Sequence, residues 1–577
     1  MDSAPRAGKS VDCVLTSTDR TTIGQSTGDV RMVTWSDVRQ WDPEKIGLLA
    51  RTLVRTSDGL IEDMATLERL SETLEWTGAA ADAARTEIHS ARDGYVRGAD
   101  QLMSIGTCVE DLGYAMYPLV ASVLDCDRQA QDSDADITDE GGVVDRMPLY
   151  SSASEDAWSL GRDRLRRIRD LRERATELLT RARYLDSQGA ATLRTLSGSV
   201  SATGADVSTI PAAATEFRTA VPTETAVPMG RSAPANAAFW DSLTRADRTR
   251  LLVERPDLIG NLDGIPAVVR DSANRRMLVR ERIRLEKVAA DLQNRLNNNI
   301  FGGMLDNADA GLAQTRKRLA ALDAITATLD QGDRQLLVLD NRSGEDTLAA
   351  IAVGNVDTAT HVAVFVPGLD SDVQGDLRRY DGDMDSFKKT VEQLLRKDPP
   401  ETAACVTWMN YEGPHLGWNL LNPNRSVVSG SAAIAGGERL STFLDGLDAA
   451  RAEDPHLSLL GHSYGSLTAA YGVRDADDTG VDELVVLGSP GLGTGAVADL
   501  SVPPGHVFVG EASDDRVADL GAFGTDPSSL DGTEKLPTES SGYLPAEGHG
   551  GYFAEGTTAQ HNSALVVAGR ASEFVGG

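Results

Sequence analysis

Long apolar runs are missing from this chain. Nowhere in its 577 residues do about 18 apolar residues follow one another, so no segment reads as a membrane-spanning helix. The opening stretch, MDSAPRAGKSVDCVLTSTDRTT, lacks the apolar centre of a signal peptide, so no conventional signal peptide is expected. That leaves a cytoplasmic location and export by another route both open. Positive charge is scarce too: 56 Lys and Arg stand against 87 Asp and Glu, a net charge of −31 that would repel phosphate and argues against nucleic-acid binding. The plainest reading of that charge is solubility. Cysteine is limited to Cys13, Cys108, Cys126 and Cys405, without any Cys-x-x-Cys spacing. Cys108 and Cys126 have the option of pairing in an exported chain, and free thiols fit as well. No metal and no cofactor is expected.

A chain of this length suggests about three or four domains, and three stretches with different patterns are visible. Residues 1–30 have no periodicity and read as a disordered N-terminus. From 31 to 197 the pattern is helical, with Ile46, Leu49, Leu53, Leu60, Met64, Leu67, Leu70 and Leu74 at helical spacing. A turn at Trp76-Thr77-Gly78 leads into a second helical run, AAADAARTEIHSARDGYVRGADQLMSIG, so the two form a helical hairpin. The acidic segment CDRQAQDSDADITDEGG reads as a loop before helix resumes at EDAWSLGRDRLRRIRDL. Residues 198–235, rich in Ser, Thr, Ala, Pro and Gly, read as a flexible linker across which few packing contacts should run. Residues 236–333 are again helical and are a candidate cover of the site described next. From 334 to 577 short apolar strands alternate with helices: RQLLVLD, LAAIAVG, HVAVFVPG, AACVTWMN, LSLLGHS, ELVVLGSP and HVFVGEA. Such alternation implies an α/β fold, a doubly wound and mostly parallel sheet with helices on both faces.

Within that part, LSLLGHSYGSLTAAYG contains Gly-x-Ser-x-Gly around Ser463. The bare pattern is common in a chain with 55 Gly, and GQSTG around Ser26 matches it equally well. Context separates them. HLSLL is a strand entering Gly461 and YGSLTAAYGV a helix leaving it, as a nucleophile elbow requires, whereas Ser26 has no helix to enter. A helix N-terminus behind Ser463 would also favour negative charge at the reacting oxygen.

A serine hydroxyl needs a base to take its proton, and the base needs an orienting carboxylate. In this fold the order along the chain is Ser, acid, His. Asp514 and Asp515 both follow the strand HVFVG, and only His549 and His561 come later. His549 lies in a Gly-flanked loop, while His561 begins the final helix, where a structural role suits it better. The oxyanion would be met by two backbone amides. One is that of Tyr464, and the other comes from the loop FVPGLDSD, at Leu369 or Asp370.

Taken in order, VAVFVPG, VTWMNYEGP, LSLLGHSYGS, ELVVLGSPGLG, SDDRVADLG and GHGGYF resemble an actinobacterial α/β-hydrolase family of unknown function, distantly similar to cutinases and lipase-like domains. The resemblance covers about 335–577, and the helical stretch beginning FWDSLTRADRTRLL is similar to a segment preceding the hydrolase in many members. It implies Ser463 as nucleophile and His549 as base. It also favours Asp515 over Asp514, because Arg516 and Val517 follow it in the family's manner. The N-terminal hairpin is similar to Trp-x-Gly proteins exported by type VII secretion. It departs from their Tyr-x-x-x-Asp/Glu pattern, since Tyr95 is followed four positions later by Ala99 and only then by Asp100.

The resulting expectation is a serine hydrolase acting on a small-molecule or lipid ester or thioester through Ser463, His549 and Asp515. The helical half would then serve for docking, to a helical partner or to secretion machinery. Two rivals remain. One is a secretion-associated interaction protein with a non-catalytic hydrolase scaffold, and the other is an acyltransferase.

Overall fold

The computed structural model describes residues 32–73, 75–147, 155–198, 227, 230–298, 308–397, 399–414, 430–474, 479–515, 517–518 and 522–576. The 1–30 segment with Cys13 and Ser26, most of the 198–235 linker, and Arg516 lie outside these residues.

The chain enters helix α1 (Trp35–Arg39) through a capping box made by Thr34 and Asp37. Helix α2 (Pro43–Thr73) starts on a proline, whose missing N–H is harmless there, with the Asp42 carboxylate accepting from the Lys45 amide at 3.1 Å. After Trp76-Thr77-Gly78 the chain turns at Gly78 (φ 114°) into the 54-residue α3 (Ala79–Asp132). The two helices form the expected hairpin, closed by small residues: the Ser57 hydroxyl donates to Ala99 O at 2.7 Å, and Gly106 abuts Val54.

The acidic segment after Cys126 is not simply a loop. Helix α3 continues to Asp132, and strands β1 (Ala135–Ile137) and β2 (Val143–Asp145) then form an antiparallel ribbon. The reason is local neutralisation: Asp127 is buried and accepts from Trp35 Nε1 at 2.9 Å and Arg39 Nε at 2.6 Å, so its charge does not demand solvent. A third helix, α4 (Glu155–Gly198), packs Leu171, Leu178 and Leu185 against Leu119 and Val123 of α3. Cys108 and Cys126 are buried free thiols on one helix. They stand roughly 27 Å apart along its axis at 1.5 Å per residue, so they cannot pair.

Five helices follow: α5 (Ala233–Asp241), α6 (Arg245–Glu254), α7 (Pro256–Ile259), α8 (Ala267–Asn298) and α9 (Ala308–Leu329). Next come β3 (Arg334–Asp340), β4 (Leu348–Val353), β5 (His361–Val366), α10 (Leu377–Leu394) and β6 (Ala403–Met409). The chain continues through α11 (Ser431–Ala449), β7 (His456–His462), α12 (Tyr464–Val473), β8 (Glu483–Leu487), β9 (Val507–Gly510), β10 (Glu534–Lys535) and α13 (Thr558–Val567). All seven expected strands are present, in one sheet of order β10-β9-β8-β7-β5-β6-β4-β3. Among the described strands of this sheet, only the β3–β4 and β4–β6 pairs are antiparallel. The carboxyl ends of β5, β7, β8 and β9 therefore share one edge.

Every residue of β4, β5, β6 and β8 is buried, because helices cover both faces. Alternation within β5 shows the division. Val362, Val364 and Val366 face α11 and α12, while Ala363 and Phe365 face the layer of α8, α9, α10 and α13. Residues of the 236–333 segment thus contribute core: Leu278, Leu285, Leu322 and Ile325 lie in the second layer. Toward the sheet's carboxyl edge, Lys317 of α9 places Nζ 2.5 Å from Asp346 and 4.0 Å from Asp372.

The expectation that few contacts join the helical half to the sheet does not hold. On α4, Arg166 reaches Asp454 at 2.8 Å and Asp448 at 3.5 Å, Arg169 reaches Asp445 at 3.4 Å, and Arg162 donates to Ser501 O at 2.9 Å. Sequence spacing conceals these pairs, which span more than 270 residues.

Candidate active site

Strand β7 runs directly into α12, and Ser463 is the single residue between them. Its backbone is held at φ 55°, ψ −131°, a conformation L-residues rarely adopt and one that thrusts the side chain away from strand and helix. Its amide donates to Leu487 O at 3.0 Å, tying the turn to β8. Glycine is obligatory on both sides. A Cβ on Gly461 would lie 2.6 Å from Ser466 Cα, and one on Gly465 would lie 2.1 Å from Val366 O. Larger residues would push α12 off the sheet.

His549 lies in the loop between β10 and α13, 86 residues after the serine. Its Nε2 stands 2.7 Å from Ser463 Oγ, so a neutral imidazole accepts the hydroxyl proton there. Its Nδ1 stands 2.9 and 3.0 Å from the two oxygens of Asp515, whose side chain is fully buried. Burial alone would raise the Asp515 carboxyl. Hydrogen bonds from His549 and Tyr552, the positive charge His549 can carry, and the Val517 amide outweigh it and hold the group at about 2. Asp514 takes a different place: its Oδ1 accepts from the Gly548 amide at 2.7 Å, so it anchors the backbone beside His549 and not the ring. His561 is in the first turn of α13, stacked on Tyr543 at 4.3 Å.

Two amides are expected to meet an oxyanion, that of Tyr464 and that of Leu369 or Asp370; Tyr464 opens α12, and Leu369 follows Gly368, which lies against Ser463 in the loop after β5. Asp370 is a correction. Its φ is 56° and its amide donates to Pro414 O at 3.0 Å, so that N–H is committed to holding the loop. Leu369, just before it in the loop, has its side chain packed against the sheet core.

Comparison with known proteins agrees with this architecture. A family model described as Alpha/beta hydrolase matches residues 343–525. An uncharacterized protein of Mycobacterium tuberculosis is 33% identical over 312 residues, 51% of this chain and 45% of that relative. A second one from M. tuberculosis is 31% identical over 229 residues, 38% of this chain and 83% of the relative, and a Mycobacterium bovis protein matches to the same extent. The chain belongs to this actinobacterial α/β-hydrolase family. The α/β-hydrolase chain described here spans about half the length of the first of these relatives, 45%. Two solved esterase structures from Pyrobaculum calidifontis align at 13% identity with TM-scores of 0.28 and 0.27, covering 45% and 49% of this chain and 92% and 97% of theirs.

Two side chains around the α/β-hydrolase elbow escaped the reading of the sequence. His462 directly precedes the serine, and its Nε2 lies 2.6 Å from the carbonyl of His549. Burial first, and then the neighbouring His549, bring its imidazole down to about 4, so it is neutral and donates to that carbonyl. Tyr552 donates its phenol proton to Asp515 Oδ2 at 2.6 Å. Burial and the adjacent carboxylate push the phenol up and keep it protonated. Both residues sit inside quoted motifs, GHS and GHGGYF. Nothing in either motif marks a partner more than 30 residues away.

Proposed function

We propose that the chain is a serine hydrolase that cleaves carboxylic ester or thioester bonds of small-molecule or lipid substrates through an acyl-enzyme. In this reading Ser463 is the nucleophile, His549 the base and then the acid, and Asp515 the group that orients the ring. What carries it is the 2.7 Å approach of His549 Nε2 to the oxygen of a serine on a strained strand-to-helix turn, with a buried, ionised carboxylate behind the ring.

Oγ attacks the acyl carbon while its proton passes to Nε2, and the carbonyl oxygen becomes an oxyanion near the amides of Tyr464 and Leu369. The imidazolium formed at that moment is balanced by Asp515. Collapse breaks the acyl–oxygen or acyl–sulfur bond, and the leaving group takes the proton from Nε2. Water then repeats the sequence: it gives a proton to Nε2 as it attacks the acyl-serine, and Ser463 leaves with that proton. Neither step needs a group beyond those named.

The test is hydrolysis of p-nitrophenyl butyrate by the full chain and by Ser463→Ala. We expect turnover by the parent and a loss to the background rate in the variant. A folded parent that turns over no ester of a short-to-long series and takes no acyl group would favour a non-catalytic scaffold. Acyl transfer to an added alcohol in preference to water would favour an acyltransferase.

A further inference from the structure

Resting on the reading above, we infer that Tyr552 is a positioning residue for the reaction, the fourth member of the chain Ser463–His549–Asp515–Tyr552, which sets how strongly Asp515 answers the charge on His549. The phenol is 1% exposed and touches no reacting atom. Its hydroxyl is fully engaged, accepting from the Ala512 amide at 3.0 Å and donating to Asp515 Oδ2 at 2.6 Å. Ala512 lies at the start of the same turn that presents Asp515, whose own amide donates to Ala512 O at 3.0 Å. The phenol therefore links the backbone of the acid's turn to the carboxylate oxygen that also meets His549. It also stands three residues after His549, so one short loop delivers both the base and the group that tunes its partner.

Asp515 Oδ2 is shared between the Tyr552 hydroxyl and His549 Nδ1 at 2.9 Å, while Oδ1 takes the Val517 amide at 3.0 Å. A donor on one oxygen withdraws charge from the carboxylate, so the imidazolium formed at His549 meets a weaker counter-charge. Removing the donor turns the full charge on the ring. The ring then keeps its proton to higher pH, and the base is unavailable over a wider acid range. Other ionisable groups around this chain are Arg379 on α10, Glu511 and Asp514 on the turn after β9, Glu547 on the histidine's loop and His462 on β7. Tyr552→Phe leaves all of these side chains in the protein and keeps the ring that packs on His462.

The experiment compares pH profiles of kcat/KM for p-nitrophenyl butyrate in the full chain, in Tyr552→Phe, and in protein carrying 3-fluorotyrosine at position 552. The Phe variant removes the donor and keeps the ring. The fluorinated phenol is more acidic and a stronger donor in the same space. We expect the acid limb to move up by about one pH unit in Tyr552→Phe and downward with fluorotyrosine, since one hydrogen bond to a charged group is of that size. KM should be unchanged in the Phe variant, since the phenol acts through Asp515 and not on the substrate. Limbs that coincide with the parent's in both proteins, whatever happens to melting temperature, would make Tyr552 a packing residue and overturn the inference. If Tyr552→Phe does not fold, the fluorotyrosine arm decides alone. A parent that hydrolyses no ester overturns the serine-hydrolase reading and this inference together, and is distinguished by failing before any substitution is made.

Discussion

The far half of the α2–α3 hairpin and the eight-stranded sheet bury their side chains in opposite ways. In the hairpin the fully buried positions between the helices belong to small residues, Ala50, Ser57, Ala99 and Gly106, the last against Val54, and several large ones stay outside: Leu49 is 53% exposed, Ile61 44% and Trp76 46%. In the sheet the large residues are inside. Trp408, Phe365, Phe387 and Phe443 are wholly buried between two helical layers. Two helices can shield only one stripe of each other, whereas a sheet covered on both faces fixes every side chain along its strands. A group that must sit within a few tenths of an ångström of its partner belongs on the second kind of support. The candidate site is found there, on turns that leave β5, β7 and β9 and on a loop that returns to the same edge.

That contrast can be pressed at the site first. Asp515→Asn should lower turnover of a small ester about 10³–10⁴-fold, as happens when the orienting carboxylate of such a triad is neutralised. Asp514→Asn should cost only a few-fold, because an amide oxygen can still accept from the Gly548 N–H. Reversed effects would mean that the geometry around His549 has been misread. The same pair gives a sign for acid stability. The folded Asp515 carboxyl, near 2, lies below its unfolded value of about 3.9, so its contribution is complete above about pH 4 and disappears as pH falls through about 2. Parent and Asp515→Asn should therefore converge in stability toward pH 2, as followed by urea melts across that range.

Core and hairpin can then be set against each other directly. Phe387→Ala, beneath β6 and α13, should cost about 3–5 kcal/mol in urea denaturation. Arg166→Met removes the cation held between Asp448 and Asp454, both partly exposed, and should cost about 2 kcal/mol, between the surface and buried limits for an ion pair. Leu67→Ala on the hairpin should stay within about 0.5 kcal/mol. A large loss at Leu67 would show that the hairpin's outer face is covered in solution.

The two regions also differed in how far they could be read beforehand. Seven of the eight strands announced themselves as short apolar runs, because burial on both faces leaves no room for polar alternation, while the exposed pair Glu534–Lys535 of β10 gave no such signal. The elbow was legible because strand, glycines and helix are contiguous around Ser463. The ordering rule leaves Asp514 and Asp515 open, and the family resemblance favours Asp515, the one of the two whose side chain meets the His549 ring. Helical periodicity placed α2, α3 and α4 but misjudged the stretch after Cys126, where Asp127 finds Arg39 88 residues away. The docking of Arg166 and Arg169 was hidden for the same reason, as were the partners of His462 and Tyr552. Local patterns report which element a residue joins. They do not report which distant charge or hydroxyl will meet it, and Asp370, in the right loop with its amide already taken, shows that limit within the site itself.

The central claim is that Ser463 is the activated serine of this chain, and covalent mapping tests it most directly. The 577-residue chain is treated with a fluorophosphonate, digested, and the modified peptide sequenced by mass spectrometry. One adduct is predicted, on Ser463 within LSLLGHSYGSL, formed fast in the parent, slowly in His549→Ala and not at all in Ser463→Ala. An adduct on Ser26 or elsewhere, or none on a folded parent, would contradict the account.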